Sequence, residues 1–182
     1  MLHINGDLVM SDTPGEAWEH SLLYDRAYGR VLINGLGLGL GLKAVLTKPA
    51  GDSISQVETV KVIEVNEDVI ALVGPRFTDD LRVEIVHADA LTYQPKRGEK
   101  YNCVWHDIWT AMLEPGTPEW SQHLALHRKW RKRLYPLGWQ GSWSGWRVAY
   151  IQRGEVNFLP DADDFKAVLA GRIPANFQAL AR

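Results

Sequence analysis

Three acidic residues stand at the ends of three apolar segments of the chain, at Glu64, Asp89 and Asp107. A carboxylate in such a place can accept hydrogen bonds from both hydroxyls of a ribose, or from the exocyclic amine of an adenine. We assign the ribose contact to Glu64 and the adenine contact to Asp89, which the small residue Ala90 follows. Each acid alone could equally be a solvated loop residue, but three in equivalent positions favour a shared nucleoside site.

A repeat of glycine and leucine, GLGLGLGL at residues 35–42, precedes these acids. It could be a low-complexity tract, a strand weakened by glycine, or a loop whose backbone approaches a ligand. The patterned flanks, RVLIN before and LKAVL after, argue against low complexity, and glycine at every second position would leave one face of a strand unpacked. The repeat therefore predicts a loop that opens a helix, with bare backbone N–H groups able to approach a ligand.

The spacing of these glycines fits the pattern GxGxG at Gly35, Gly37 and Gly39. It does not fit the dinucleotide pattern GxGxxG, which would need glycine where Leu40 stands. Tight packing between a strand and the following helix is the alternative explanation for the same glycines.

Strand-like and helix-like segments alternate along the chain. Apolar runs predict strands at residues 30–34, 57–65, 82–89 and 101–109. Helical spacing predicts helices at residues 42–49, 66–77, 119–135 and 161–172. This order is typical of a Rossmann-like α/β fold with a doubly wound, mostly parallel sheet, which binds ligands at the carboxyl ends of its strands. A β-hairpin around Asn5 and Gly6 is predicted before the first strand, and the Gly/Trp-rich segment 135–146 is interpreted only as partly extended.

Length and composition fit one folded domain, residues 1–182, which is 46% hydrophobic and 23% charged. We divide it into a hairpin and lead-in helix (1–29), a cofactor-binding core (30–110) and a C-terminal part (111–182) that is short for the usual final strands. The net charge of −2 gives no general attraction to nucleic acid. The lone cysteine, Cys103, predicts a small buried side chain and a cytoplasmic setting, and no apolar run approaches the ~18 residues of a membrane span.

The same motifs resemble those of class I S-adenosylmethionine-dependent methyltransferases, and especially of their spermidine synthase-like branch. The resemblance covers about residues 4–110 and rests on VLINGLGLGLGL, IEVNEDVI, VHADAL and YNCVWHDIW. It implies S-adenosylmethionine as cofactor, with the glycine loop at its methionine part and Glu19 at its amino-acid end. The cofactor-binding residues that it implies are Gly35, Leu36, Gly37, Gly39, Glu64, Val65, Asp89, Ala90, Asp107 and Glu19.

Two departures from the spermidine synthase pattern bear on the reaction. Leu38 stands where that branch carries an acidic residue in the glycine loop, and Thr110 stands where it carries a second aspartate. Polyamine substrates are cations that call for several carboxylates. Methyl transfer to a small-molecule acceptor is therefore the main prediction. Aminopropyl transfer from decarboxylated S-adenosylmethionine is one alternative, and a non-catalytic nucleoside-binding or assembly module is the other.

Asp107 is the predicted catalytic residue. A sulfonium cofactor is already activated, so the protein mainly aligns the acceptor, and a base helps when the acceptor is an amine or a hydroxyl. An unperturbed aspartate, with a pKa of about 3.9, is a weak base. Asp107 is therefore expected to orient the acceptor unless burial raises its pKa, and capping of the next loop is the alternative role. The neighbouring Trp109 is predicted to be either an aromatic wall for a flat or cationic acceptor or a core residue.

A basic cluster, RKWRKR at residues 128–133, could grip phosphates, with Trp130 as a stacking surface. A basic last helical turn more often faces solvent and complements the helix dipole. The motif DIWT also lacks the paired prolines of amino-directed nucleic-acid methyltransferases. A nucleic-acid partner is therefore possible but not favoured.

His123 and His127 share one helix face, but the third ligand of a zinc site is missing from the motif, so no metal is predicted. The tryptophans of the Gly/Trp-rich segment could seal the edge of the sheet or form a contact between copies of the chain. A homo-oligomer is therefore possible. These tryptophans are Trp139, Trp143 and Trp146.

Overall fold

A computed structural model describes residues 2–4, 7–10, 19–48, 56–110, 113–143 and 145 of the chain. Its strands are β1 (Leu2–Ile4), β2 (Asp7–Met10), β3 (Gly29–Asn34), β4 (Val57–Glu64), β5 (Val83–His87), β6 (Tyr101–His106) and β7 (Leu134–Ser142). The last five form one sheet in the order β5-β4-β3-β6-β7, and each neighbouring pair is parallel. The chain therefore winds outward from β3, returns to β6 on the other side of it, and has its switch point between these two strands.

Helices alternate with most of these strands: three of the four described helices connect successive parallel strands of the sheet, one precedes β3, and residues 88–100 join β5 to β6 without a helix. The helices are α1 (Ser21–Arg26), α2 (Leu40–Leu46), α3 (Glu67–Val73) and α4 (Pro118–Arg131), and a short 3-10 turn follows α3 at Gly74–Arg76. Side chains cap two of them: Asn66 accepts hydrogen bonds from the N–H groups of Asp68 and Val69, and Thr117 accepts one from Trp120. The predicted Rossmann-like α/β fold is confirmed.

Two apolar cores cover the two faces of the sheet, because successive side chains of a strand point to opposite faces. In β3, Val31 and Ile33 belong to one core, which also holds Leu23 of α1. Leu32 belongs to the other core, which holds Trp130 of α4. Cys103 is fully buried in the first core, so its prediction as a small buried side chain is confirmed.

The Gly/Trp-rich segment, predicted only as partly extended, forms most of a strand. The helix predicted to run to Tyr135 ends at Arg131, and β7 begins at Leu134 and pairs with β6 in parallel. Pro136 and two glycines have low strand propensity, so the sequence of this segment does not indicate a strand. Pro136 is tolerated because β7 lies at the edge of the sheet. The segment therefore completes a five-stranded sheet, which the sequence alone left undecided.

Several predictions at the chain ends fall partly or wholly on other residues. β1 and β2 pair antiparallel, as the hairpin prediction requires, but its turn at Asn5 and Gly6 lies outside the described residues. The predicted helix 161–172 and Trp146 also lie outside them. Within the described ranges, none of the helices combines the length and the apolar character needed to cross a membrane.

Candidate functional site

A cavity of about 520 Å³ opens at the carboxyl ends of the central strands. Its walls come from the loops after β3, β4, β5 and β6, with further contributions from Met10, Gln122 of α4 and Trp143. The switch point of the sheet lies at the same edge, where parallel α/β folds bind their ligands. The cavity is therefore the candidate functional site of the described chain.

Most of the residues predicted at the site line this cavity. They are Gly35, Gly37, Glu64, Val65, Asp89, Ala90 and Asp107. Leu36 is buried beneath the loop, and Gly39 and Glu19 lie outside the lining. Seven of the predicted residues thus line the cavity, and the roles of all these residues toward a ligand stay predictions.

The glycine loop owes its glycines to two different causes. Gly35 and Gly37 have left-handed φ values of 99° and 50°, and a Cβ atom would overlap the Asp107 carbonyl oxygen at Gly35 and the Met10 sulfur at Gly37. A Cβ at Gly39 would instead meet the ring of Phe77 at 2.7 Å, away from the cavity. The two earlier glycines therefore shape the cavity. Gly39 also has a left-handed φ, 79°, and it allows close packing against Phe77, which is not the strand-to-helix packing of the alternative explanation.

Glu64 connects the glycine loop to the loop after β4. Its Oε2 accepts a hydrogen bond from the Leu36 N–H at 2.7 Å, and its Oε1 accepts one from the Asn66 N–H at 2.8 Å. Glu64 is buried, with 8% of its surface exposed, yet it lines the cavity. Each carboxylate oxygen has two lone pairs, so both retain capacity for a hydroxyl donor of a ligand.

Asp89 and Ala90 form the next part of the wall. Asp89 Oδ1 accepts a hydrogen bond from the Leu91 N–H at 2.8 Å. From α4, the Lys129 ammonium donates to the carbonyl oxygens of Ala90 and Leu91 at 3.0 and 3.2 Å. Partial burial lowers the pKa of Lys129, and the nearby charge of Asp89 opposes this shift. Lys129 therefore attaches this wall to α4, a role that its position within a basic cluster did not indicate.

Asp107 has a partner that sequence reasoning missed. His20, next to α1, lies with its Nε2 at 2.9 Å from Asp107 Oδ2, and His20 is only 2% exposed. A carboxylate oxygen accepts, so this ring nitrogen donates. The 17% exposed side chain of Asp107 thus faces the cavity on one side and a buried imidazole on the other. The sequence offered one indication of His20: it directly follows Glu19, the residue that was assigned to the amino-acid end of the cofactor.

Aromatic side chains line the end of the cavity nearest Asp107. Trp109 is 7% exposed and donates its indole N–H to Gln122 Oε1 at 3.1 Å, which fixes the plane of the ring. Trp143 and Met10 lie in the lining as well. Trp109 is thus both a buried residue and part of the cavity wall, and its predicted role as a wall for an acceptor stays a prediction.

Three histidine rings lie close together, tilted against one another, behind this aromatic wall. The His127 ring lies 4.8 Å from that of His106 and 4.2 Å from that of His123, which in turn lies 5.5 Å from Trp109. Burial lowers the pKa of His123 to about 4 and that of His127 to about 3, so these rings are neutral at pH 7. Among the residues that the structure describes, no cluster of three or more His, Cys, Asp or Glu side chains could hold a metal ion.

The basic cluster at 128–133 is divided by burial. Trp130 is fully buried and packs edge-on against Tyr101, so it offers no stacking surface to a base. Arg128, Arg131 and Lys132 are exposed. They lie on the end of α4 that leads into the amino end of β7, whereas the cavity opens at the carboxyl ends of the strands.

No family model matches the sequence, and no curated protein matches it. Similar solved structures include the CcbJ methyltransferase from Streptomyces caelestis, with a TM-score of 0.50, 18% identity, and coverage of 69% of this chain and 47% of CcbJ. S-adenosylmethionine-bound CalS10, an amino pentose methyltransferase from Micromonospora echinaspora, has a TM-score of 0.51 and 22% identity over 70% of this chain and 51% of CalS10. An rRNA methylase from Streptococcus thermophilus has a TM-score of 0.52 and 14% identity over 80% of this chain and 81% of that protein.

The chain thus spans about half the length of CcbJ and of CalS10. At these identities the likeness concerns the fold and not the acceptor, since one fold carries many activities. The narrower resemblance to the spermidine synthase-like branch stays a prediction. The described chain has the Rossmann-like fold that these methyltransferases share, as its sequence predicts.

Proposed function

We propose that the chain binds S-adenosylmethionine in this cavity and catalyses methyl transfer to a small-molecule acceptor. One observation carries the proposal. The cavity brings together the bare backbone of Gly35 and Gly37, the carboxylates of Glu64 and Asp89, and Asp107. Solved structures of the same fold include S-adenosylmethionine-bound CalS10 and an S-adenosylhomocysteine complex of DhpI.

The chemistry of the lining fits this cofactor. A ribose offers two hydroxyl donors, and Glu64 offers two oxygens that each accept a single backbone N–H. An adenine amine requires an acceptor beside a small residue, and Asp89 stands beside Ala90, which is buried. A sulfonium group is cationic, and the glycine loop leaves room for it without side chains. Glu64, Asp89 and the loop at Gly35 and Gly37 would therefore hold the nucleoside and the methionine part.

The bound cofactor would supply a methyl group on a sulfonium centre, so that the acceptor atom gains a bond to carbon as the carbon–sulfur bond breaks and S-adenosylhomocysteine remains. The protein then contributes mainly orientation, which can account for about 7 to 11 kcal/mol of a barrier. We assign the orientation of the acceptor to Asp107, and two observations support this: its carboxylate lines the cavity, and His20 Nε2 donates a hydrogen bond to one of its oxygens.

The size of the cavity supports a small acceptor. About 520 Å³ lies within the range of small-molecule sites, and the exposed basic residues of α4 belong to the end of the helix remote from its opening. Aminopropyl transfer receives less support, because Leu38 packs against the first core and Thr110 lines the cavity where a second carboxylate would be needed.

Calorimetric titration of the full chain tests the proposal, with S-adenosylmethionine, its decarboxylated form, S-adenosylhomocysteine and NAD titrated separately. We expect binding of the first and third and none of NAD. A clear preference for the decarboxylated form would replace methyl transfer by aminopropyl transfer. Binding of none of the adenosyl compounds would reject the proposed cofactor site. Cofactor binding without turnover over a broad acceptor panel would favour a binding module.

A further inference from the structure

The cavity has an acidic lining. Its titratable side chains in the described residues are Glu64, Asp89 and Asp107, and no lysine, arginine or histidine belongs to the wall. Two basic groups stand behind it, and both are engaged: Lys129 donates to the carbonyl oxygens of Ala90 and Leu91, and His20 donates to Asp107. From this charge distribution we infer that the acceptor is an amine that is cationic in solution, and not a carboxylate or a phosphate ester. The inference rests on the proposed function and names its substrate class.

The three carboxylates are not equally available to an acceptor. Glu64 already accepts two backbone N–H groups, and Asp89 accepts from Leu91 N–H at 2.8 Å, so both belong to structured loops at the nucleoside end. Asp107 instead accepts from the imidazole of His20, and 17% of its side chain stays exposed. Because the proposed function assigns Glu64 and Asp89 to the nucleoside, Asp107 is the carboxylate of the lining that is left to meet the acceptor.

An anionic acceptor would meet three acids and, among the residues that the structure describes, no base in the lining to neutralise it. Like charges at close range in a cavity of low dielectric repel, whereas an ammonium group gains an attraction to Asp107. A cation also suits the rest of this end, since Trp109 is held by Gln122 and Trp143 lies in the same lining. Indole faces attract cations, so they favour an ammonium group over an alcohol or an acid.

The same arrangement serves the transfer step. An ammonium group has no lone pair, so the acceptor must first lose one proton to water. The neutral amine that remains can donate an N–H to Asp107, and its lone pair is then free to form the new nitrogen–carbon bond. The nitrogen becomes cationic as the sulfonium becomes a neutral sulfide, so charge is conserved. Asp107 thus selects the cation and afterwards holds the neutral amine by a hydrogen bond.

Three probes of one shape and different charge test the inference: benzylamine, benzyl alcohol and benzoate. Each is titrated into the full chain saturated with S-adenosylhomocysteine, with binding followed by calorimetry or by ligand-observed NMR. We expect benzylamine to bind about 10-fold or more tightly than benzyl alcohol, and benzoate to bind most weakly. Equal binding of the amine and the alcohol would overturn the inference. Benzoate binding as tightly as the amine, or no binding by any of the three, would do the same.

The variant Asp107→Asn localises the preference. It should remove most of the preference for benzylamine over benzyl alcohol, leaving the part due to the indole faces, while the affinity for S-adenosylhomocysteine stays within about 3-fold. Asp79→Asn is the control, because it removes the same charge from an exposed residue outside the lining. If Asp107→Asn keeps the full preference for benzylamine, then other residues cause the preference, and the role of Asp107 is rejected. Should Asp107→Asn fail to fold, the three probes on the unaltered chain still decide the charge of the acceptor.

Failure of the inference and failure of the proposed function are separable. If the unaltered chain does not bind S-adenosylhomocysteine, the cofactor proposal fails. If it binds that compound but shows no preference for benzylamine, only the amine acceptor fails.

Discussion

The two ends of the cavity are held by different kinds of contact. At the nucleoside end, Glu64 and Asp89 accept hydrogen bonds from backbone N–H groups, two of which lie only two residues further along the chain. At the acceptor end, Asp107 is held by a side chain 87 residues away, and Trp109 by one 13 residues away. The nucleoside end thus depends mainly on backbone groups of loops, with Lys129 of α4 as an added support, and the acceptor end depends on how α1 and α4 pack onto the sheet. Substitutions should therefore separate cofactor binding from acceptor binding, except where the two ends touch.

The nucleoside end and the acceptor end of the cavity touch at Gly35, where we expect a substitution to have the largest effect. Its φ is 99°, and a Cβ there would overlap the carbonyl oxygen of Asp107. Gly35→Ala should reduce the free energy of unfolding by about 3 kcal/mol and impair both ends together. Urea denaturation measures the loss. Gly98→Ala is the matched control, because Gly98 has a φ of 80° and a Cβ added there would meet no atom within 4 Å. Equal losses in the two variants would mean that backbone strain, and not the contact with Asp107, requires glycine at position 35.

A change of pH should act on the acceptor end, through the histidines behind Trp109. The pKa values of His123 and His127, about 4 and about 3, lie below the ordinary value near 6.5, so the unfolded chain binds protons first as the pH falls. Their contribution to stability is complete above pH 6.5 and decreases as the pH falls toward 4. Each imidazole should reduce the free energy of unfolding by up to about 1.4 kcal/mol per pH unit, or about 2 kcal/mol at pH 5.

The variant His127→Gln tests this origin of the pH dependence. Urea denaturation between pH 7 and 5 should show a shallower loss of stability than in the unaltered chain. His87→Gln, at an exposed histidine, should leave the slope unchanged. An unchanged slope in His127→Gln would contradict the neutral, buried state of this ring.

At the nucleoside end, Glu64→Gln should weaken binding of S-adenosylhomocysteine by about 10- to 100-fold. The amide retains one acceptor oxygen, but it places an N–H₂ group where Glu64 now accepts a backbone N–H, and a charge-assisted hydrogen bond contributes about 1.5 to 3 kcal/mol. Glu58→Gln, at an exposed position of the same strand, is the control. Calorimetry would show the difference, and affinities that agree within 2-fold would remove Glu64 from the site.

The same contrast between the two ends explains which residues of the site could be predicted from the sequence. Glu64 and Asp89 were found because parallel strands bring their carboxyl ends to one edge, so position along the chain suffices. His20 was missed because its partner is set by the packing of α1, and no spacing rule joins residues 87 positions apart. The segment of β7 could be predicted only as partly extended, because Pro136 and its glycines contradict strand propensity, and pairing with β6 overrides that propensity.

The smallest effect is expected at Lys129, which belongs to α4 but stabilises the nucleoside end. Its ammonium donates to the carbonyl oxygens of Ala90 and Leu91, so Lys129→Met keeps the apolar stem and removes only these two bonds. Binding of S-adenosylhomocysteine should weaken about 3- to 10-fold, equivalent to about 1 kcal/mol, and kcat at saturating cofactor should not change, because Lys129 does not line the acceptor end. Lys129→Arg, which can still donate, should recover part of the affinity, and Lys132→Met at the exposed end of α4 should have no effect. A fall in kcat without a change in affinity would place Lys129 with the acceptor end, and the contrast between local loops and packed helices would then no longer separate the two functions.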